Sequence, residues 1–386
     1  MKKSTYFDYA ATTPVDPEVV KAMKPFFNKK FGNSSSLHSF GFETKEVLEN
    51  NRKIIADAIN AKLEEIVFTG SATESNNMAL KGVAFANKGR HILVSSIEHD
   101  CVLNSGEWLK KQGFEVEKIS VDKYGIVSPG EIEKKIRKDT ILVSVMHVNN
   151  EVGTIQPIKE IGDICKKRNV YFHTDAAQSF GKIPIDVKKM NIDLLTVSSQ
   201  KIYGPKGAAA LFIREGVRID PLLHGGGQEL GMRSSTVNIP AIVGFGKATE
   251  ICLFEMKKEG ERLTKLRNRI INTILKEISN SYLNGHSEKR ISNNVNIRFS
   301  FVEGESILFL LDSLGIAIST ASACSSPKLE PSHVLTAMGL KHEEAHGSIR
   351  LSLGRWTTSE DVDYLLEVLP KVIKKLRNIS PHKEYE

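Results

Sequence analysis

Residues 170 to 207 read VYFHTDAAQSFGKIPIDVKKMNIDLLTVSSQKIYGPKG, and this stretch decides the expected fold. It contains two apolar runs of strand length, VYFHTDA and DLLTVSS, and polar or glycine-containing sequence follows each of them. Asp175 stands near the end of the first run, and Lys201 comes shortly after the second. Because functional loops are expected at the carboxyl ends of strands in an open α/β sheet, both side chains are predicted to lie at one site.

The same alternation extends over residues 43 to 255, where helix-like amphipathic stretches separate short apolar runs. This pattern is typical of an α/β domain built around a mainly parallel sheet. Four further runs have strand length: EIVFTG (65 to 70), HILVSS (91 to 96), TILVSVMHV (140 to 148) and AAALFIR (208 to 214).

The rest of the chain predicts a second, smaller unit. A long charged helix is expected over roughly residues 239 to 280, followed by renewed alternation and an amphipathic helix from about 359 to 376. A chain of 386 residues exceeds the size at which one hydrophobic core stops growing. We predict a large α/β domain over residues 15–255, and a small α+β domain over 1–14 and 256–386 that carries Cys324.

Composition excludes several classes of protein. Hydrophobic residues make up 40% and charged residues 26%, which is typical of a globular protein rather than a disordered one. Lys plus Arg number 53 against 46 for Asp plus Glu, but the excess is spread along the chain and no nucleic-acid-reading motif accompanies it. A solvated basic surface is therefore the preferred interpretation, and no nucleic-acid partner is predicted.

The cysteines and the apolar windows bear on location. The four cysteines lie far apart, without the spacing of a disulfide framework or a zinc site, which favours reduced thiols in a cytosol. No window approaches the ~20 apolar residues of a membrane span. We expect a cytoplasmic protein with no membrane partner.

Asp175 and Lys201 together suggest pyridoxal-phosphate (PLP) chemistry. That chemistry requires a lysine that holds the cofactor as a Schiff base and a carboxylate that keeps the pyridine nitrogen protonated. Gln178 could then reach the ring hydroxyl oxygen. Residues 69 to 77, TGSATESNN, lie between a predicted strand and a predicted helix, where backbone N–H groups and hydroxyls can bind a phosphate. An ordinary helix N-cap is the alternative for that loop.

These motifs, with others along nearly the whole chain, resemble the cysteine desulfurases, a group of fold-type I PLP enzymes related to the class V aminotransferases. The resemblance implies a seven-stranded, mainly parallel sheet in the large domain. It is carried by ten segments: YFDYAATTPVDPEV (6 to 19), FGNSSSLHSFG (31 to 41), FTGSATESNN (68 to 77), IEHDCVL (97 to 103), HVNNEVGTIQP (147 to 157), HTDAAQSFGK (173 to 182), SSQKIYGPKG (198 to 207), HGGGQELGMRSSTVN (224 to 238), ASACSSPKLEPSHVL (321 to 335) and SIRLSLGRWTT (348 to 358).

The resemblance assigns roles around the cofactor ring. Lys201 matches the lysine that carries PLP, Asp175 the partner of the pyridine nitrogen, and Gln178 the partner of the ring oxygen. His99 matches the histidine stacked on the ring and, with Lys201, is a candidate base for the substrate α-proton. Asn150 matches a residue near the substrate and the ring oxygen.

Further roles concern the phosphate. Thr73 and Ser198 match phosphate ligands, and Thr236 matches a threonine donated to the phosphate by a second subunit, so the resemblance implies a homodimer. Gln200 stands where the family usually has a histidine phosphate ligand. Glutamine still donates a hydrogen bond but adds no charge, so weaker PLP retention is expected. Ser34 likewise replaces a common proline, which is expected to loosen that turn.

The substrate-facing roles fall to two residues. Arg355 matches the arginine that pairs with the substrate carboxylate, where a planar two-pronged donor suits the chemistry. Cys324 matches the nucleophile that takes sulfur from L-cysteine as a persulfide, leaving L-alanine. Cys101, Cys165 and Cys252 match no motif role and are predicted to be structural.

The implied activity is a desulfurase of the housekeeping type, which passes its sulfur to an iron–sulfur cluster scaffold protein or another acceptor. A selenocysteine lyase or a related aminotransferase is the nearest alternative, although an aminotransferase has no need for Cys324. A non-catalytic sulfur carrier or scaffold is a third hypothesis, in which Cys324 binds persulfide or ligates a cluster. The presence of Lys201 argues against it, and no other metal site is predicted.

Overall fold

A computed structural model describes residues 4–320 and 331–380 of the chain. Short 3₁₀ turns supplement the helices, and a π-helical turn over Met78–Gly82 joins α3 to α4. The strands are β1 (Thr5–Tyr6), β2 (Ile66–Thr69), β3 (His91–Ser95), β4 (Glu115–Ile119), β5 (Thr140–Ser144), β6 (Tyr171–Asp175), β7 (Leu194–Ser198), β8 (Ala209–Ile213), β9 (Ser281–Leu283), β10 (Asn294–Phe299), β11 (Ile316–Ala317), β12 (Ser319–Thr320) and β13 (Ser348–Ser352). The helices are α1 (Pro17–Met23), α2 (Ser39–Ala58), α3 (Ala72–Asn77), α4 (Val83–Ala86), α5 (Asp100–Lys111), α6 (Pro129–Lys135), α7 (Ile158–Arg168), α8 (Ile239–Glu277), α9 (Gly304–Ser313), α10 (His333–Ala337), α11 (His342–His346) and α12 (Ser359–Ile379).

The central sheet has seven strands in the order β2-β8-β7-β6-β5-β3-β4. Strands β4, β3, β5, β6 and β7 pair in parallel, whereas β8 pairs antiparallel with both β7 and β2. Strands β3 and β7 are buried along their whole length, as expected for strands covered by helices on both faces. The carboxyl ends of the parallel strands therefore meet at one edge, where a ligand site is expected.

Two apolar clusters cover the two faces of this sheet. On β3 and β5, Leu93 and Val143 point into one cluster, while Ile92 and Leu142 point into the other. A third cluster lies under the four-stranded sheet β12-β13-β10-β9, together with α9, α12 and the second half of α8. Helix α8 thus contributes its first half to the core of the large sheet and its second half to the core of the small one.

The N-terminal segment joins the two units. Strand β1 pairs in parallel with β11, and Phe7 lies in the core of the smaller sheet. Tyr9 is already in the core of the large sheet. The turn over Ala10 and Ala11 is therefore placed at the carboxyl edge of the central sheet, where it contacts Lys201.

The predicted fold class is confirmed, and the six apolar runs all form strands of the central sheet. The seventh strand, β4, was not predicted from its local sequence, because EVEKI carries three charges in five residues at the edge of the sheet. The long helix was predicted to end near residue 280 and ends at Glu277. The domain boundaries remain a prediction. Within the described ranges, the chain has no helix with the length and hydrophobicity needed to cross a bilayer.

Candidate active site

Asp175 and Lys201 lie at the ends of neighbouring parallel strands. Asp175 is the last residue of β6, and Lys201 closes the 3₁₀ turn that follows β7. The strands pair so that Asp175 is opposite Thr196. The sheet thus brings the two predicted residues to the same edge.

The Asp175 carboxylate is buried, with 6% of the residue exposed, and two donors fix its orientation. One oxygen accepts a hydrogen bond from the Asn76 amide at 2.7 Å, and the other accepts one from the backbone N–H of Ala177 at 2.9 Å. Asn76 is also buried, and its own oxygen Oδ1 has no hydrogen-bond partner in the described part of the chain. These two donors therefore hold the carboxylate in one position.

Lys201 and Gln178 contact the same main-chain turn. The Lys201 ammonium donates to the carbonyl oxygens of Ala10 and Ala11, both at 2.6 Å, and the Gln178 amide donates to Ala10 at 3.0 Å. The structure brings these two predicted residues together through the backbone of the N-terminal segment.

A second amine lies close to Lys201. Lys182 and Lys201 line one cavity, together with Cys252, Glu259 and Asn293. Burial, followed by the charge of Lys201, lowers the pKa of Lys182 to about 8. Lys182 consequently loses its proton more readily than an exposed lysine.

His99 is the N-cap residue of α5, where its ring nitrogen Nδ1 accepts a hydrogen bond from the backbone N–H of Cys101 at 3.2 Å. The Cys101 thiol also contacts Nδ1, at 3.1 Å, and contacts the Asn76 amide at the same distance. Asn76 in turn binds Asp175. His99 is thus connected to Asp175 through two residues that the sequence analysis did not place at the site.

Thr73, Ser198 and Gln200, three of the predicted phosphate ligands, lie on elements that reach the same edge of the sheet. Thr73 is exposed in the first turn of α3, and Ser198 is the buried last residue of β7. The Gln200 side-chain oxygen accepts a hydrogen bond from the Thr12 hydroxyl at 3.3 Å, and the Gln200 carbonyl accepts one from Thr13 at 2.8 Å. The Gln200 amide oxygen is therefore occupied, which leaves its NH₂ group as the donor.

Asn150 lies beside an arginine that was not predicted. Arg350, on β13, donates to the Asn150 carbonyl at 3.2 Å and pairs with the Asp8 carboxylate at 2.9 Å. Its Nε atom is buried and has no hydrogen-bond partner among the described residues. Asp8 feels the charges of both Arg350 and Lys201, although burial still raises the pKa of its carboxyl overall. Arg350 therefore belongs to the candidate active site, together with Asn150 and Asp8.

Arg355, the predicted partner of the substrate carboxylate, is already paired with protein carboxylates. Its guanidinium binds Asp16 at 2.7 Å and Glu259 at 3.1 Å, and it packs 4.3 Å above the centre of the Tyr203 ring. Cys252 adds a sulfur contact at 3.3 Å. These contacts occupy much of its donor capacity. The role predicted for Arg355 stays a prediction.

Two predicted residues are not part of this group. Thr236 is exposed in the loop before α8. Further back in that loop, Glu229 forms a buried two-pronged ion pair with Arg52 at 2.7 and 2.8 Å, which anchors the loop to α2. Cys324 lies outside the described residues. Residues 4–320 and 331–380 contain no group of three His, Cys, Asp or Glu side chains that could hold a metal ion.

The residues at this edge fit the chemistry of PLP. A fixed carboxylate suits the pyridine nitrogen, an amine can hold the aldehyde carbon, and Gln178 supplies a polar group for the ring oxygen. The buried Oδ1 of Asn76, next to Asp175, also has no partner in the described residues, as expected beside a polar ligand site. A mainly parallel seven-stranded sheet with this pair at its carboxyl edge defines a fold-type I PLP enzyme.

Comparison with known proteins agrees with this class. The family model for aminotransferase class-V matches residues 5–365. The chain is 60% identical to cysteine desulfurase IscS 1 of Archaeoglobus fulgidus over 97% of this chain and 98% of that protein. It is 57% identical to cysteine desulfurase IscS of Methanosarcina thermophila over 99% and 96% of the two chains. A solved NifS-like protein superposes with a TM-score of 0.91 at 38% identity, covering 97% of this chain and 100% of the other. The chain belongs to the aminotransferase class-V family, and its cofactor is PLP.

Proposed function

We infer that the chain is a PLP-dependent cysteine desulfurase, which converts L-cysteine to L-alanine and keeps the sulfur as a persulfide on Cys324. The observation that carries this inference is the placement of Lys201 and Asp175 at one sheet edge, in a chain that matches the IscS desulfurases over almost its full length. The overall reaction balances, because a thiol and cysteine give a persulfide and alanine.

The residues of the candidate active site have separate proposed roles. When bound, PLP supplies an electron sink for the charge left by removal of the substrate α-proton. Asp175 holds a proton at the pyridine nitrogen and so maintains the capacity of that sink. Lys201 anchors the cofactor and, with His99, is proposed to move the α-proton. Thr73, Ser198 and Gln200 are proposed phosphate ligands, and Gln178 a ligand of the ring oxygen.

Cys324 performs the sulfur transfer in this proposal. Its thiolate attacks the sulfur of the bound substrate, so that a sulfur–sulfur bond forms while the bond between the substrate sulfur and its β-carbon breaks. The electron pair returns to the substrate carbon skeleton, which takes up protons and leaves as alanine. We propose an iron–sulfur cluster scaffold protein as the acceptor of the outer sulfur.

The purified chain incubated with PLP and L-cysteine is expected to release alanine and to gain one sulfur atom on the peptide that contains Cys324. Alanine is measured by amino-acid analysis, and the persulfide by mass spectrometry after alkylation. L-selenocysteine, supplied in a parallel reaction, tests the selenocysteine lyase alternative. If no alanine forms with saturating PLP, the enzyme assignment fails and a sulfur carrier takes its place.

We propose that Arg350, rather than Arg355, binds the substrate carboxylate. The buried Nε of Arg350, which has no hydrogen-bond partner among the described residues, and the proximity of Asn150 support this assignment, whereas Arg355 already binds two carboxylates. Loss of a hydrogen bond between charged groups costs about 1.5–3 kcal/mol, or roughly 10- to 150-fold in affinity. Arg350→Gln is therefore expected to raise KM for L-cysteine by that factor.

Arg355→Gln is the matched comparison for this experiment. It is expected to lower the thermal unfolding midpoint, because Asp16 and Glu259 lose their partner, and to change KM less than Arg350→Gln does. Arg350→Lys keeps the charge and is expected to recover part of the affinity. A rise in KM confined to Arg355→Gln would return the carboxylate role to Arg355.

We further propose a homodimer. Between residues 27 and 42 the chain exposes five large apolar side chains, and monomers rarely expose much clustered apolar surface. Two of them, Phe31 and Phe40, stack with ring centres 5.7 Å apart. The exposure of Thr236 is compatible with its proposed donation to the partner's phosphate site. The five exposed apolar side chains are Phe27, Phe31, Leu37, Phe40 and Phe42. A cytoplasmic location stays a prediction.

A further inference from the structure

The contacts of Cys101 define a role for a residue that no motif assigned. Its sulfur lies 3.1 Å from the ring nitrogen Nδ1 of His99 and 3.1 Å from the amide nitrogen of Asn76. The thiol thus contacts two residues that are linked to the candidate active site.

The direction of each hydrogen bond follows from the donors present. The backbone N–H of Cys101 can only donate, and it points at His99 Nδ1, so that nitrogen must be an acceptor. The contact between Nδ1 and the Cys101 sulfur is then satisfied only when the S–H group donates. The Asn76 NH₂ has two hydrogens, of which one binds Asp175 and the other binds the sulfur. Every contact is satisfied with a protonated thiol.

From these hydrogen-bond directions we propose that Cys101 is a positioning residue that fixes the tautomer of His99. With the backbone N–H and the S–H of Cys101 both directed at Nδ1, the ring proton is expected on Nε2, which is the nitrogen that remains to donate or exchange a proton. Through Asn76, the same thiol connects the orientation of His99 to that of Asp175. The inference rests on the proposed function, because His99 is expected to act at the cofactor.

The electrostatic environment favours the protonated thiol. Burial, with a further contribution from the negative charge of Asp175, raises the pKa of Cys101 to about 12. The S–H donor therefore persists throughout the neutral pH range. A thiol in this state is also a poor nucleophile, so Cys101 does not compete with Cys324 for the substrate sulfur.

The test uses the full-length holoenzyme with ¹⁵N-labelled histidine rings, and assigns the His99 signals with a His99→Gln variant. In the wild type, Nδ1 is expected to show the shift of an acceptor nitrogen and Nε2 that of a protonated one. Cys101→Ala removes the side-chain donor but keeps the backbone N–H, so the tautomer protonated on Nδ1 is expected to gain population while the wild-type tautomer remains the major one. Cys101→Ser keeps a donor and is expected to retain the wild-type tautomer.

Alanine formation provides the second readout. The net value of a neutral hydrogen bond corresponds to roughly a twofold to tenfold change, so Cys101→Ala is expected to slow alanine formation by that factor and Cys101→Ser by less. Cys165→Ala is the control, since Cys165 lies in the core of the large sheet. The PLP absorbance band checks that each variant retains the cofactor.

Three outcomes would overturn the inference: a wild-type His99 protonated on Nδ1, an unchanged tautomer population in Cys101→Ala, or a serine variant that behaves like the alanine variant. The tautomer measurement needs no L-cysteine. If the wild type makes no alanine, the proposed function fails, while the nitrogen shifts still decide whether Cys101 sets the tautomer.

Discussion

Replacement of Lys201 by alanine is expected to reduce alanine formation by at least about 10³-fold, within the range attributed to one positioned acid–base group. The variant loses the amine that is proposed to hold PLP and also to move the substrate α-proton. In the structure this ammonium is positioned by the carbonyl oxygens of Ala10 and Ala11, which direct it toward the sheet edge that also bears Asp175. Alanine release at saturating L-cysteine measures the effect.

Covalent attachment of PLP supplies an independent measurement. After borohydride reduction, the cofactor is expected on the Lys201 peptide of the wild type and absent from the variant. Lys206→Ala is the matched control, because Lys206 belongs to the same loop but is exposed. Cofactor attached to another lysine, or full activity in Lys201→Ala, would contradict the assignment.

The fold could be predicted because strands buried on both faces are encoded as continuous apolar runs. HILVSS and DLLTVSS contain no alternation that would confuse their interpretation, and both become fully buried parallel strands. Edge strand β4 lacks this property, since its charged residues can reach solvent. Its local sequence therefore gave no comparable signal.

The position of the main site residues was predictable for a topological reason. Asp175 and Lys201 follow strands that pair directly, so they reach the same edge whatever the details of the loops. The partners of Lys201 were not predictable in this way, because they are main-chain carbonyls of Ala10 and Ala11, which have no side-chain signature.

The two arginines of SIRLSLGRWTT illustrate a second limit of prediction from local sequence. Arg350 and Arg355 belong to one motif, and both have the chemistry to bind a carboxylate. Which one faces the site depends on where β13 ends and on which acids lie nearby, namely Asp8 for Arg350 and Asp16 for Arg355. Those acids are more than 300 residues away in sequence, so local pattern gives no information about the pairing.

Cys101 was predicted to be structural because it matches no motif role. Its significance lies in the two neighbours it contacts, His99 and Asn76. Of these, only His99 carried a motif assignment. A histidine two residues before a cysteine at a helix start is the local signal, and it becomes informative only when the N-cap geometry is known.

Replacement of Cys324 by alanine is expected to eliminate the persulfide and to lower alanine formation by at least about 10²-fold, because the other three cysteines are held largely as unreactive thiols at neutral pH. The thiolate is the reactive form, and burial suppresses it at the three remaining cysteines. Burial raises the pKa of Cys101 to about 12 and that of Cys252 to about 11, from an ordinary value of 9.0. Cys165 is fully buried, and burial raises the pKa of its thiol as well.

These pKa values indicate how weakly the three remaining thiols could compensate for the loss of Cys324. A rise of three units reduces the thiolate fraction at neutral pH on the order of 10³-fold, and a rise of two units on the order of 10²-fold. Mass spectrometry of alkylated peptides measures persulfide on each cysteine, and Cys165→Ala is the control expected to behave like the wild type. Because Lys201 and Asp175 are unchanged, Cys324→Ala is expected to bind PLP normally. Persulfide on Cys101 or Cys252 in that variant would show that burial does not protect them, and would remove Cys324 from its proposed role as sole sulfur acceptor within the chain.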